Sequence, residues 1–160
     1  MLSVQILCVG KLKETYWRDA CAEYGKRLSA FCKFQIVEVD EARVPDNASA
    51  AQIAEALRQE GERLLAHIPG GSRVIALCIE GRTQSSEGLA AQLDSLAVSG
   101  ISHVSFVIGG SWGLSPAVKQ RSDMRMSMSP MTFPHQLARV MLCEQIYRAF
   151  QISSGGKYHK

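Results

Sequence analysis

The residue types able to do chemistry gather between Val104 and Lys160. The apolar run Val104-Ser105-Phe106-Val107-Ile108 ends in Gly109-Gly110-Ser111-Trp112-Gly113-Leu114-Ser115-Pro116. Glycines placed after a strand and before a helix are how open α/β sheets shape ligand clefts. The spacing does not match G-x-G-x-x-G, and no P-loop lysine follows, so a pyrophosphate cradle is disfavoured. A slot for a ligand without phosphate and a plain tight turn needing positive φ both remain open. The next candidate wall, Met128-Ser129-Pro130-Met131-Thr132-Phe133, reads either as a ligand-facing backbone or as methionine packing in the core. His135 opens a helix, where the macrodipole disfavours imidazolium; it suits either orienting a substrate carbonyl or a structural hydrogen bond. Arg139 and Arg148 fit RNA contact or structure equally, and Glu144–Arg148 is an i,i+4 pair of favourable order. Lys157-Tyr158-His159-Lys160 follows Gly155-Gly156. An aromatic ring, an imidazole and two lysines can stack a base and contact phosphate, or form a solvated tail. Trp112 can stack on a substrate or pack under its own loop.

These groups need elements to hold them. Val4–Val9 is a short apolar run closed by Gly10, a buried strand. Residues 12–32 are expected to be helical, with Leu12, Tyr16, Ala20, Tyr24, Leu28 and Phe31 on one face. Phe34–Val39 alternates as a strand, and Glu41–Asn47 is a loop around Pro45. Ser49 and Gln52 form a capping box for a helix carrying Ile53, Leu57, Leu64, Leu65 and Ile68, ended by Pro69-Gly70-Gly71. Arg73–Ile79 reads as a central strand and Glu80–Ser86 as a loop. Leu89, Leu93 and Leu96 mark a helix ending near Gly100, and Val104–Ile108 is the next strand. Ser115-Pro116 starts a short helix to about Arg121, Met124–Met128 is a short strand, and Pro134 to about Phe150 is the last helix, capped by Thr132. Strand and helix alternate throughout. That order predicts an α/β fold: one domain over residues 1–160, a mostly parallel sheet with helices on both faces.

Composition narrows the class without naming a function. The chain has 160 residues, 46% hydrophobic and 21% charged, which is ordinary for a single soluble domain. A net charge of +3 permits an RNA partner without requiring one. The five cysteines (Cys8, Cys21, Cys32, Cys78, Cys143) form no C-x-x-C and no zinc spacing, so each reads as a small buried hydrophobe in a reducing compartment. No basic-then-apolar leader precedes Val4 and no run has membrane-spanning length; a cytoplasmic protein with no membrane or metal partner is expected.

Taken in order, several of these pieces resemble the small SPOUT methyltransferases of the RlmH type. They are Cys8-Val9-Gly10-Lys11, Ile108-Gly109-Gly110-x-x-Gly113-Leu114-Ser115, Ser127-Met128-Ser129, Thr132-Phe133-Pro134-His135, Arg139…Glu144-Gln145-x-Tyr147-Arg148-Ala149 and Tyr158-His159. The resemblance spans essentially the whole chain. It implies a SPOUT fold with a C-terminal trefoil knot and S-adenosylmethionine as cofactor. It also implies methyl transfer to N3 of a loop pseudouridine in 23S rRNA of the assembled 70S ribosome, by a homodimer. Carried over by position, Leu77, Gly109, Met128, Ser129, Pro130, Met131, Thr132 and Phe133 would bind the cofactor. Tyr158, His159 and Arg148 would be catalytic, with His159 the proton acceptor; His135, Arg139 and Lys157 would bind substrate. Two other functions stay open: a SPOUT enzyme acting elsewhere on RNA, such as a ribose 2′-hydroxyl, and a non-catalytic ribosome-binding module.

Overall fold

Three apolar strands take the interior of the sheet. In the computed structural model, which describes all residues 1–160, β1 (Ser3–Val9) and β4 (His103–Ile108) lie side by side and are buried along nearly their whole length. β2 (Lys33–Val39), whose sequence alternates, sits at one edge, and the short β5 (Met124–Ser127) at the other. The order is β2-β1-β4-β3-β5, with β3 spanning Arg73–Thr83, and every pairing is parallel. Parallel strands buried on both faces read as near-continuous apolar sequence; β1 and β4 are interrupted inside by Gln5 and Ser105, which bond each other, Gln5 Nε2 donating to Ser105 Oγ at 2.9 Å.

Helices cover both faces, as the alternating order predicts. α1 (Thr15–Leu28), α3 (Ser86–Val98) and α5 (His135–Ser153) pack on one side, where Val4, Ile6, Ile75 and Phe106 meet Leu28, Leu93, Leu142 and Ile146. α2 (Ala50–Leu65) and α4 (Pro116–Arg121) cover the other, where Leu7, Val74 and Val107 meet Leu64 and Val118. The Ser49/Gln52 capping box forms, and Ser115 caps α4 ahead of Pro116. No helix is long and apolar enough to cross a membrane.

Three boundaries differ from the sequence reading. α1 begins at Thr15, and Tyr16 is exposed whereas Cys21 and Leu28 are buried. A run of i,i+4 spacings advances about 40° per step around a helix of 3.6 residues per turn, so a face traced from Leu12 to Leu28 leaves the core midway. α5 starts at His135 with Pro134 as its N-cap, and Thr132 does not cap it. β3 continues through Glu80–Thr83, which the polar sequence suggested was a loop. Its pairing with β5 breaks after Leu77 and resumes at Arg82, so residues 78–81 bow out between two contacts with Met126. Gly81 makes this possible: a Cβ there would lie 2.6 Å from the backbone of Met126.

Candidate active site

β3, β4 and β5 deliver their carboxyl ends to one place, where a cleft of about 610 Å³ opens. The bowed segment of β3 contributes Leu77, Cys78, Ile79 and Glu80; the turn after β4 contributes Gly109–Leu114; the segment after β5 runs along the cleft to His135. This is the position where open α/β sheets bind ligands, and the volume suits a small molecule. The β4 turn is built from glycine for a steric reason. Gly109 faces the carbonyl of Gly113 too closely to admit any Cβ, and Gly113 has φ of +84°. Gly113 N–H donates to the Gly110 carbonyl at 3.1 Å, closing the turn. The opposite wall is folded by its own serines: Ser127 Oγ donates to the Ser129 carbonyl at 3.1 Å, and Ser129 Oγ accepts from Met131 N–H at 3.0 Å.

The electrostatics of the cleft favour a ligand without phosphate. Its one lysine, Lys119, is paired with Glu80 at 2.7 Å, and that pair holds the Glu80 carboxyl below its ordinary range. The remaining lining is apolar side chain, hydroxyl, the His135 imidazole and backbone, with the thiol of Cys78 pushed up by burial and therefore protonated. Of the residues expected at a cofactor, Leu77, Gly109, Met128, Ser129, Met131, Thr132 and Phe133 line the cleft; Pro130 does not. His135 lines it too, and the exposed Trp112 and Met131 stand at its mouth. Apolar walls, exposed backbone and no unpaired cation fit a neutral adenosine carrying a sulfonium, which an unpaired lysine or arginine would repel. No group of three His, Cys, Asp or Glu side chains converges in a way that could hold a metal ion.

Arg139 is not at the cleft. Its side chain is 2% exposed, with Nη1 donating to Glu38 Oε2 at 2.6 Å and Nη2 to the Gly10 carbonyl at 3.1 Å. Glu38 Oε2 also accepts from Leu12 N–H at 3.2 Å. The expected substrate contact is corrected to a buried strut tying α5 to β2 and to the turn after β1, because its guanidinium is sealed inside the fold and held by Glu38 and Gly10. Period two sets Glu38 on the face of Phe34 and Ile36, and nothing local names a partner 101 residues away.

The C-terminal residues form a second cluster, laid against α5 and not a solvated tail. Tyr158 OH donates to Glu144 Oε1 at 2.6 Å, and its ring packs edge-on against Tyr147, centroids 4.9 Å apart. Arg148 donates to both oxygens of Glu144 at 3.1 and 3.0 Å, and its guanidinium lies 4.7 Å from the Tyr158 ring centroid. Arg148 Nη1 reaches His159 Nδ1 at 3.1 Å, and His159 Nε2 reaches Glu87 Oε1 of α3 at 2.6 Å. The Glu144 carboxylate, with some help from burial, pushes the Tyr158 phenol up to about 12. Lys157 is exposed and makes no ion pair. Sequence reasoning found Tyr158, His159 and Arg148 but missed Glu144 as their hub and Glu87 altogether; no local signal links residue 87 to residue 159.

None of Arg148, Tyr158 and His159 lines the cleft. The cleft takes the first turn of α5, at His135 and Ala138, whereas the cluster sits on Glu144 to Arg148. At 1.5 Å per residue, His135 and Arg148 are about 20 Å apart along the helix axis.

An open parallel sheet with a glycine-turned, phosphate-averse cleft at its carboxyl edge marks a class, and sequence comparison identifies it. The chain belongs to the SPOUT methyltransferases: the family model described as a predicted SPOUT methyltransferase matches residues 2–159. Within that class it is similar to proteins named ribosomal RNA large subunit methyltransferase H. The one from Bifidobacterium animalis subsp. lactis is 51% identical over 159 residues, covering 99% of this chain and 100% of the relative. The one from Leuconostoc mesenteroides subsp. mesenteroides is 49% identical over the same span and coverage. The fold is shared with a probable methylase family protein from Haemophilus influenzae at a TM-score of 0.57 and 12% identity, over 98% of this chain and 70% of that one.

Proposed function

We propose that this protein methylates large-subunit ribosomal RNA, using S-adenosylmethionine to methylate N3 of a loop pseudouridine in 23S rRNA of the assembled 70S ribosome. The observation that carries the reading is the pairing of two features: an apolar cleft without a free cation, and an ordered Tyr158–His159 tail beside Arg148. Bound in the cleft, S-adenosylmethionine supplies an electrophilic methyl group on a sulfonium, which leaves as a neutral thioether and needs no acid.

The chain's own residues then have two tasks. One is orientation: the cleft walls fix one reactant, and the tail's aromatic ring and cations receive the RNA. Alignment of the reacting atoms supplies a large part of such a rate enhancement. The other task is the N3 proton. Tyr158 cannot take it, since its phenol is itself protonated to about pH 12 and donates to Glu144. His159 can, at Nδ1, once the base displaces the Arg148 N–H that now occupies that lone pair. The N3–H bond breaks as Nδ1–H forms, and nitrogen gains carbon in place of hydrogen. Arg148 stays anchored on Glu144 and offers positive charge to the anionic ring as it develops. Lys157 is free to meet a phosphate. Because cleft and tail lie apart in one chain, the proposed unit is a homodimer, with one copy's tail serving the other copy's cleft.

The test is labelled methyl transfer to ribosomes that lack the modification, with the label located by mass spectrometry of rRNA fragments, beside calorimetry with S-adenosylmethionine. The expected result is label on one large-subunit pseudouridine. His159→Ala is expected to lower kcat roughly a hundredfold with the cofactor dissociation constant unchanged. Equal loss of binding and turnover would remove His159 from the chemistry. Absence of label with cofactor bound would move the target to other RNA, and absence of binding would leave a non-catalytic module.

A further inference from the structure

His159 is gripped from two sides by two different helices. Arg148 Nη1 meets Nδ1 at 3.1 Å. A guanidinium only donates, so Nδ1 is the acceptor and the ring hydrogen sits on Nε2. That N–H meets Glu87 Oε1 at 2.6 Å. Glu87 belongs to the first turn of α3, 72 residues earlier in the chain. The geometry points to Glu87 as a positioning residue for His159: its carboxylate holds the ring in the Nε2–H tautomer, keeps the Nδ1 lone pair as the basic one, and pins the tail to α3. The inference rests on the reading of His159 as proton acceptor.

The surroundings of Glu87 suit that task. Its own backbone amide, then His159, hold its carboxyl below the ordinary range, and the α3 N-terminus favours negative charge there. An ionised carboxylate accepts and cannot donate, so it selects Nε2–H without ambiguity. The groups facing the ring are Glu87 from α3, and Arg148 with its partner Glu144 from α5. When Nδ1 takes the N3 proton, the imidazolium has Glu87 on its far side, and solvent later removes the proton. Without Glu87 the ring follows a tail whose lead-in contains Gly155 at φ +73°, and either tautomer is accessible.

The test uses the full-length protein with nitrogen-15 histidine, read by NMR, and methyl transfer to unmodified ribosomes. Wild type should show a pyrrole-type Nε2 and a pyridine-type Nδ1 for His159. Glu87→Leu should lower kcat roughly tenfold, leave the ribosome KM and the S-adenosylmethionine dissociation constant unchanged, and move both nitrogen shifts toward a tautomer mixture. Glu87→Gln, which keeps an acceptor, should recover most of both. Wild-type kcat and wild-type nitrogen shifts in Glu87→Leu would overturn the inference. If wild type modifies no ribosome, the proposed function fails instead, and the nitrogen shifts of the Glu87→Leu protein decide the positioning role alone.

Discussion

Removing Glu38 should cost this protein more stability than its partly exposed position suggests. Arg139 is 2% exposed, and its charge is answered by Glu38 at 2.6 Å and by the Gly10 carbonyl; its Nε has no partner at all. Glu38→Ala therefore leaves a guanidinium almost sealed from water with one neutral acceptor, and it strips Leu12 N–H of its partner as well. Breaking a buried ion pair costs about 3–5 kcal/mol. The Glu38 side chain is 33% exposed, so water reaches the vacated side and the lower end applies, about 3 kcal/mol. At roughly 2–4 °C per kcal/mol for a domain of this size, the melting temperature should fall by about 6–12 °C. Circular dichroism melts and urea titrations read this directly. The companion double variant, Glu38→Leu with Arg139→Met, removes both charges and should regain most of the loss, since the penalty belongs to the orphaned charge. A Glu38→Ala melt within about 2 °C of wild type, or a double variant no better than the single one, would refute the strut. A second readout follows from the helix: Arg139 lies one turn beyond His135, which lines the cleft, so Glu38→Ala should also weaken S-adenosylmethionine in calorimetry.

Two further perturbations probe the cleft and the tail separately. Gly109→Ala forces a methyl against the Gly113 carbonyl, a backbone atom that cannot swing away; overpacking of this kind costs about 1–3 kcal/mol. S-adenosylmethionine binding should fall at least roughly tenfold by the same displacement, and an alanine variant that binds as wild type does would contradict the turn's role. Tyr158 has its phenol raised from 10.0 to about 12. The folded pKa lies above the unfolded one, so the stabilisation is intact below pH 10.0 and is lost as pH rises through about 12. An absorbance titration should show a late phenolate phase that disappears in Tyr158→Phe; a phase already complete near pH 10.0 would show that the Glu144 bond does not hold in solution.

The cleft was legible because its walls are contiguous in sequence. Each is a strand end followed at once by its turn, so Gly109–Gly113 and Met128–Phe133 announce themselves locally. The bowed end of β3 was not legible. Its polarity resembles a loop, and only pairing with β5, formed some 45 residues later, keeps Arg82 and Thr83 in the sheet. The contacts of Arg139 and His159 were hidden for the same reason. Glu38 and Arg139 are 101 residues apart, and Glu87 and His159 are 72 apart. Patterns of period two or 3.6 report which way a side chain faces its own element, and carry nothing about which distant charge that face will meet.

α5 joins what the sequence leaves separate. Its first turn borders the cleft, Arg139 in the next turn is bolted to β2, and Glu144 with Arg148 holds the tail farther along. A helix is stiff over these few turns, so the position of the tail relative to its own sheet is set by the Arg139 anchor as much as by Tyr158 and His159. The same stiffness keeps the tail cluster about 20 Å from His135 in its own chain. Held by Arg148 and Glu87, His159 stays at that distance from its own cleft. The proposed chemistry therefore assigns the pinned tail to the cleft of a second chain, and release of the tail would not substitute for it: an unpinned His159 would lose the tautomer that Glu87 and Arg148 hold.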